Sequence, residues 1–413
     1  MNRLFLLCLV WPLFSFAQTG RPLSLAEAEV LWSKHSHELQ LAHMAVTGAL
    51  ADVQTAGQVP NPQLSINMDS ISPSTGLGAG GWKSKKMDTQ VRLEQLIERG
   101  GKKELRVKAA EARLDAARSD SDDLARQQLL ALRIAYFELL QAQEKYRLAQ
   151  ETAELYGRSS ATGKLRYRVG DISQVDLSRL EIDKSRADNE TRQAQADLEA
   201  AQISLAYLIG RQADAKYLSV DSDWPRLDAE VVPATEVVQR PAVLAARARL
   251  QAAESARDLA RSMKKRDVTV GFQLERNGQG EPVNSMGLGV SVPLFLWHEN
   301  EGEIGRAEAE LNAARIAYDQ TLAQSLGEQS QWQKSLFAAV DRLKRLETGL
   351  LADAERVARA AEFAYGKGAM ALMDLLDARR TLKQIQYETV SARGDYAKAL
   401  MTWRSQLDIG KMK

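Results

Sequence analysis

Apolar residues recur along this chain at two distinct periods. In the long stretches they step by three and four: Leu105, Ala109, Ala112 and Ala116 run 4-3-4, and Ile304, Ala307, Leu311, Ala314 and Tyr318 run 3-4-3-4. Leu180, Ala187, Ala194 and Ala201 recur every seven residues. This is the seam of a coiled coil. It predicts helices over Leu25–Gln58, Lys102–Thr162, Ile172–Ile209, Ala234–Lys265, Glu303–Tyr365 and Ala369–Leu407. Alanine at the seam lets helix axes approach closely. The helix from Lys102 would be roughly 90 Å long at about 1.5 Å per residue, longer than an ordinary globular domain.

Four shorter segments, at about 63–70, 87–96, 267–276 and 285–294, alternate instead. Leu64, Ile66 and Met68 interleave with Gln63, Ser65, Asn67 and Asp69, and Val268, Val270, Phe272 and Leu274 with Thr269, Gly271, Gln273 and Glu275. Val91 and Leu93, and Met286, Leu288, Val290, Val292 and Leu294, follow the same rule. Each segment is close to the roughly 9–11 residues of a tilted membrane-spanning strand, apolar outward and polar inward. The plainer reading is two soluble hairpins covering the helix ends. Four strands cannot close a barrel, and open edges are not tolerated in lipid. Strands that cross a membrane here therefore require several chains to share one barrel. The loops Ile71–Lys86 and Asn277–Asn284 would be its outer tips, and the turns at Gly163–Gly170 and Gly366–Gly368 would lie at the far end, in the periplasm.

The chain is one unit written twice. Tyr167, Gly170, Asp176 and Leu177 return as Tyr365, Gly368, Asp374 and Leu375, each 198 residues later (365 − 167 = 198). The surrounding elements repeat in order, which divides the mature chain into residues 18–220 and 221–413.

Composition narrows the function. The 413 residues are 45% apolar and 26% charged with a net charge of +1, which argues against nucleic acid as a partner. Arg3, the apolar run Leu4–Phe16 and Ser15-Phe16-Ala17 read as a signal peptide over residues 1–17, cut after Ala17 to leave Gln18 first. Cys8 is the only cysteine and sits inside that run, so the exported protein is expected to carry no disulfide and no thiol chemistry. No Gly-x-Ser-x-Gly elbow, His-Glu-x-x-His pair or phosphate loop is present, which argues against an enzyme. No cofactor or resident metal is expected.

The doubled helix–hairpin–helix order, the run Tyr365-x-x-Gly368-x-x-x-x-x-Asp374-Leu-Leu-Asp377-Ala378 and the junctions Glu94–Lys103 and Val292-Pro293-Leu294-Phe295 resemble the TolC-like outer membrane efflux proteins. The resemblance covers essentially all of the mature sequence. The Gly100-Gly101-Lys102 form is similar to the heavy-metal (cobalt–zinc–cadmium type) branch. The resemblance implies an α+β membrane protein in which a long helical coiled-coil barrel is continued by a β-barrel completed by trimerisation, four strands per chain. It also implies a homotrimer set in outer-membrane lipid, with a periplasmic tunnel meeting an adaptor protein and an inner-membrane pump, expected to be proton-driven. Export through it would be passive. Residues between Gly210 and Pro233 and near the C-terminus would form a belt around the tunnel. Divalent heavy-metal ions are the expected cargo. A multidrug or small-toxin duct of the same architecture, or a periplasmic coiled coil with no pore, are the alternatives.

Asp374 and Asp377, three apart, share one helix face. In the family the matching carboxylates line the narrow periplasmic entrance, where three chains would set six of them around the axis and attract cations. Both also fall near a helix start, which favours Asp in any case. Tyr365 and Asp176 match positions that a hydrogen bond links in the family to hold the entrance closed. A second family link, arginine to a hydroxyl residue, falls on Met370 and Val175, so that tie is absent or replaced by packing. Gly170 and Gly368 mark the hairpin turns. His35, His37, His43 and His298 read as surface residues, since His35 and His37, two apart, point in different directions on a helix.

Overall fold

The computed structural model describes residues 21–406 apart from 72, 75, 82–83, 228–235 and 279–282. The expected leader with its predicted cut after Ala17, Cys8, parts of the two loops predicted as tips and the end of the chain from Leu407 lie outside the described residues. Eight α-helices and four strands follow in order: α1 (Leu25–His35), α2 (His37–Ala56), β1 (Gln63–Asp69), β2 (Asp88–Ile97), α3 (Lys102–Arg168), α4 (Gln174–Leu208), α5 (Pro241–Ser262), β3 (Val268–Asn277), β4 (Val283–Ser291), α6 (Glu301–Arg345), α7 (Leu351–Gly366) and α8 (Leu372–Arg404). No helix among the described residues is long and apolar enough to cross a membrane.

The helices depart from the sequence expectation in four places. The predicted first helix is two, broken at Ser36, whose backbone is extended (ψ 116°) while its N–H still donates to Trp32 O at 2.9 Å. The long helix does not stop at Gly163 but runs on to Arg168. Gly163 is there for closeness: a Cβ at that position would lie 2.4 Å from Leu180 Cδ1. Five residues, Leu346–Leu350, form π-helix between α6 and α7. Finally, α5 begins at Pro241, which occupies the first helical position, where its missing N–H costs nothing.

The chain forms two compact units, each drawing on both sequence repeats. Among the described residues, one comprises 21–36, 127–227 and 332–405, and the other 37–126, 236–331 and 406. In the first, Leu132, Leu139, Leu140, Leu205, Ile209 and Leu400 are almost fully buried, and Tyr156, Leu180, Ala187 and Leu376 form a core cluster near the hairpin turns. The second unit holds the sheet, in order β1-β2-β3-β4, every pair antiparallel. The central β2–β3 pairing joins the two repeats, from Thr89↔Arg276 to Ile97↔Val268.

Candidate functional site

The strand register sorts the sheet into two faces, because residues opposite one another in adjacent strands share a face and the next pair lies on the other. One face carries the rows Leu64–Leu93–Phe272–Leu288 and Ile66–Val91–Leu274–Met286, with Val270 opposite Val290. Its apolar side chains are open to the surroundings, Leu288 at 85% exposure and Met286 at 77%. The other face carries Ser65–Arg92–Gln273–Gly287 and Asn67–Gln90–Glu275–Ser285. Its polar groups bond one another: Arg92 to Glu94 at 2.6 Å, and Gln90 Nε2 to Gln273 Oε1 at 3.0 Å. A water-soluble hairpin would hide the first face under a helix; here it faces outward. Phe272→Arg should therefore cost about 2–4 kcal/mol if this face meets the bilayer core, emptying the heat-modifiable oligomer band on a gel. Gln273→Arg, on the polar face, should leave that band intact.

Where the sheet meets the helices, the two repeats are clasped. Lys102, 4% exposed, donates through Nζ to Lys265 O at 2.9 Å and to Asp267 Oδ1 at 2.8 Å. Asp267 Oδ1 also accepts the Arg99 backbone N–H at 2.9 Å. Gly100 and Gly101 take left-handed backbone (φ 83° and 71°), and a Cβ on Gly100 would lie 2.8 Å from Lys265 Cδ. Gly-Gly-Lys is thus a structural joint. The sequence showed the motif but not its partner, 165 residues away.

In the other unit the two hairpin turns repeat one another atom for atom along the backbone. Asp171 N–H donates to Arg166 O and Gly170 N–H to Tyr167 O. Ala369 N–H to Ala364 O and Gly368 N–H to Tyr365 O are the same bonds 198 residues on. Gly170 (φ 78°) and Gly368 (φ 73°) supply the left-handed residue that this helix ending needs. The side chains then diverge. Ser173 caps α4, accepting from Asp176 N–H at 3.1 Å and donating to its Oδ2 at 2.8 Å, and Arg179 lies 3.6 Å from Asp176 Oδ1. The equivalents in the second repeat are Ala371, Asp374 and Asp377. Ala371 cannot cap, and the cation of Arg179 has become a second carboxylate. Asp374 and Asp377 are both exposed, without a hydrogen bond or ion pair among the described residues.

Tyr365 and Asp176 are not bonded to each other within the chain. The Tyr365 hydroxyl accepts from Arg166 Nη1 at 2.7 Å, and Arg166 also pairs with Asp171, which raises its pKa. Arg166 thereby ties one turn to the other, a link absent from the sequence reading. Val175 is 59% exposed and Met370 half-buried. Just above, Arg380 Nη2 reaches both oxygens of Asp183 (2.8 and 2.9 Å), a carboxylate only 4% exposed. Arg379 bridges Glu362 and Ser159.

The segment after α4 is bound at Val220 and Trp224 to the helices of the same unit. Gln143 grips Val220 through both backbone groups, donating to its O at 3.1 Å and accepting from its N at 2.8 Å. Trp224 stacks on Phe137 and donates to Glu144 at 2.9 Å. Tyr136 donates to Leu23 O, and burial pushes its hydroxyl up to about 12. His35 packs on Gly210, and His298 lies 3.5 Å from Glu303. No group of three or more His, Cys, Asp or Glu among the described residues could hold a metal ion.

Comparison with known proteins agrees with this geometry. The family model described as outer membrane efflux protein matches residues 30–211 and 232–406. The cobalt-zinc-cadmium resistance protein CzcC of Cupriavidus metallidurans is 26% identical over 403 residues, 95% of this chain and 91% of that protein. The Campylobacter jejuni CmeC outer membrane channel superposes with a TM-score of 0.81 at 18% identity, over 94% of this chain and 86% of that one. The Vibrio cholerae outer membrane protein VceC gives 0.74 at 20% identity, over 93% and 95%. The chain therefore belongs to the outer membrane efflux protein family, as a channel and not an enzyme.

Proposed function

We propose that this chain is the outer-membrane duct of a heavy-metal exporter. Three copies close one barrel, and divalent cations pass through it passively from a proton-driven inner-membrane pump joined by a periplasmic adaptor. The likeness to a cobalt-zinc-cadmium resistance protein over nearly the whole of both chains carries the choice of cargo. The Gly-Gly-Lys junction adds nothing to it, since its lysine is consumed in holding the two repeats together. Asp374 and Asp377, without a hydrogen bond or ion pair among the described residues, suit a cation path, because a carboxylate already bonded to a neighbour, as Asp176 is, has less charge to offer. Within one chain the Arg166–Tyr365 bond supports a second tie between the turns, beside any closure of the entrance by Tyr365 and Asp176.

Deleting the gene should sensitise cells to at least one of zinc, cobalt, cadmium and copper. Unchanged tolerance across that panel, with new sensitivity to organic toxins, would move the cargo to the multidrug class. In planar bilayers, Asp374→Asn with Asp377→Asn should lower the cation-to-anion permeability ratio several-fold and relieve block by divalent ions. An unaltered ratio and block would remove the carboxylates from the permeation path.

A further inference from the structure

The apolar face of the sheet ends in a set of cations whose side chains have no ion-pair partner among the described residues. Along β2 that face runs Leu93, Gln95, Ile97, and two residues further stands Arg99; along β3, read backward, it runs Phe272, Val270, Val268, and two further stands Arg266. Ile97 and Val268 are the last pair of the ladder, and the two arginines stand two residues beyond it on either strand. Lys265 lies along Gly100, and Lys103 follows the clasping Lys102. The side chains of Arg99, Lys103 and Lys265 make no hydrogen bond or ion pair among the described residues, and Arg266 only covers the Phe295 ring at 5.4 Å. The junction's carboxylates are largely spoken for: Glu98 pairs with Arg106 and Asp267 with Lys102, leaving Glu104. Beside Lys103 opens a cleft of about 500 Å³, walled by Val59, Pro60 and Ile97 together with Glu98, already paired with Arg106, and Glu104. Trp297, 95% exposed, follows β4 with Leu294 and Leu296, both about two-thirds exposed.

The geometry points to a site at this junction for the phosphate of an anionic phospholipid headgroup, held by Arg99, Lys103, Lys265 and Arg266. The inference rests on the sheet's apolar face meeting lipid. Long basic side chains at the rim of an apolar surface place their stems on hydrocarbon and their charges at headgroup depth. Tryptophan is enriched at the same depth. A free anion would need the cations but not Ile97 or Trp297, so the joining of charge to an exposed apolar row selects a lipid over soluble phosphate.

The test uses the full chain, purified in neutral detergent and given equimolar phosphatidylglycerol and phosphatidylcholine. Lipid bound to the assembled oligomer is counted by native mass spectrometry. The natural protein should retain phosphatidylglycerol over phosphatidylcholine by about five-fold or more, the preference expected from even one basic group at a membrane surface. Changing Arg99, Lys103, Lys265 and Arg266 together to Gln should bring the ratio near one, whereas Arg99→Lys with Arg266→Lys should preserve it. Only assembled oligomer is read; if the fourfold variant does not assemble, Arg99→Gln with Arg266→Gln must still at least halve the ratio. A natural ratio near one, a ratio that survives the Gln changes, or displacement of the lipid by millimolar inorganic phosphate would each overturn the site. Single-channel conductance of the variants separates this from the channel assignment, since loss of the lipid preference should leave conductance unchanged.

Discussion

Arg380→Ala is expected to destabilise the helical unit by about 3 kcal/mol, the lower end of the cost of breaking a buried ion pair, because Arg380 itself is half exposed while Asp183 is not. Asp183 sits on α4 between Leu180 and Ala187, both buried in the core cluster with Tyr156 and Leu376. Without the guanidinium, its carboxylate keeps its place in an apolar seam with no partner of opposite charge. The same carboxylate helps burial raise the Tyr156 pKa, while Arg380 counteracts it. Asp183→Leu combined with Arg380→Met should recover most of the loss, because the pair is then replaced by apolar volume. Thermal unfolding in detergent, followed by helical circular dichroism, measures both. A single variant no worse than the double would mean that Asp183 is solvated.

Lys102→Met should be as severe, at about 3 kcal/mol. It leaves Asp267 with one backbone donor and the Lys265 carbonyl with none of its present bonding to the ammonium. The damage falls where the strands of both repeats enter their helices, so the expected phenotype is loss of assembled protein from the outer membrane. Lys103→Met, one residue on and with no hydrogen bond or ion pair of its side chain among the described residues, should stay within about 0.5 kcal/mol of the natural protein. Equal loss from both variants would show that charge in general, not the clasp, is needed.

The seam positions were readable because a coiled coil writes its contacts at fixed local spacing. Asp183 stands between two seam residues, Leu180 and Ala187, but nothing local marks it as buried until Arg380 is found against it. The 198-residue offset exposed more than the fold: it sets Ser173 against Ala371 and Arg179 against Asp377, which is why one turn neutralises its aspartate and the other does not. What stayed hidden depends on distant partners. Gly163 reads as a helix stop until Leu180 is found against it. Lys102 reads as a family mark until Asp267 is found beneath it. The β2–β3 pairing, which makes two hairpins one sheet, joins segments about 180 residues apart, and no local pattern encodes it.

The most direct test concerns the two strands that have no second neighbour within the chain. β1 and β4 are the sheet's edges, separated by three strand spacings, or about 14 Å, too far for a short thiol cross-linker. In a background with Cys8 changed to Ser, Ile66→Cys and Leu288→Cys can then be joined by a reagent of about two strand spacings or less only between different chains. If neighbouring chains complete one barrel, cross-linking intact outer membranes should give covalent dimers and closed trimers and nothing larger. Monomers alone, or a ladder that climbs past three, would contradict a shared three-chain barrel.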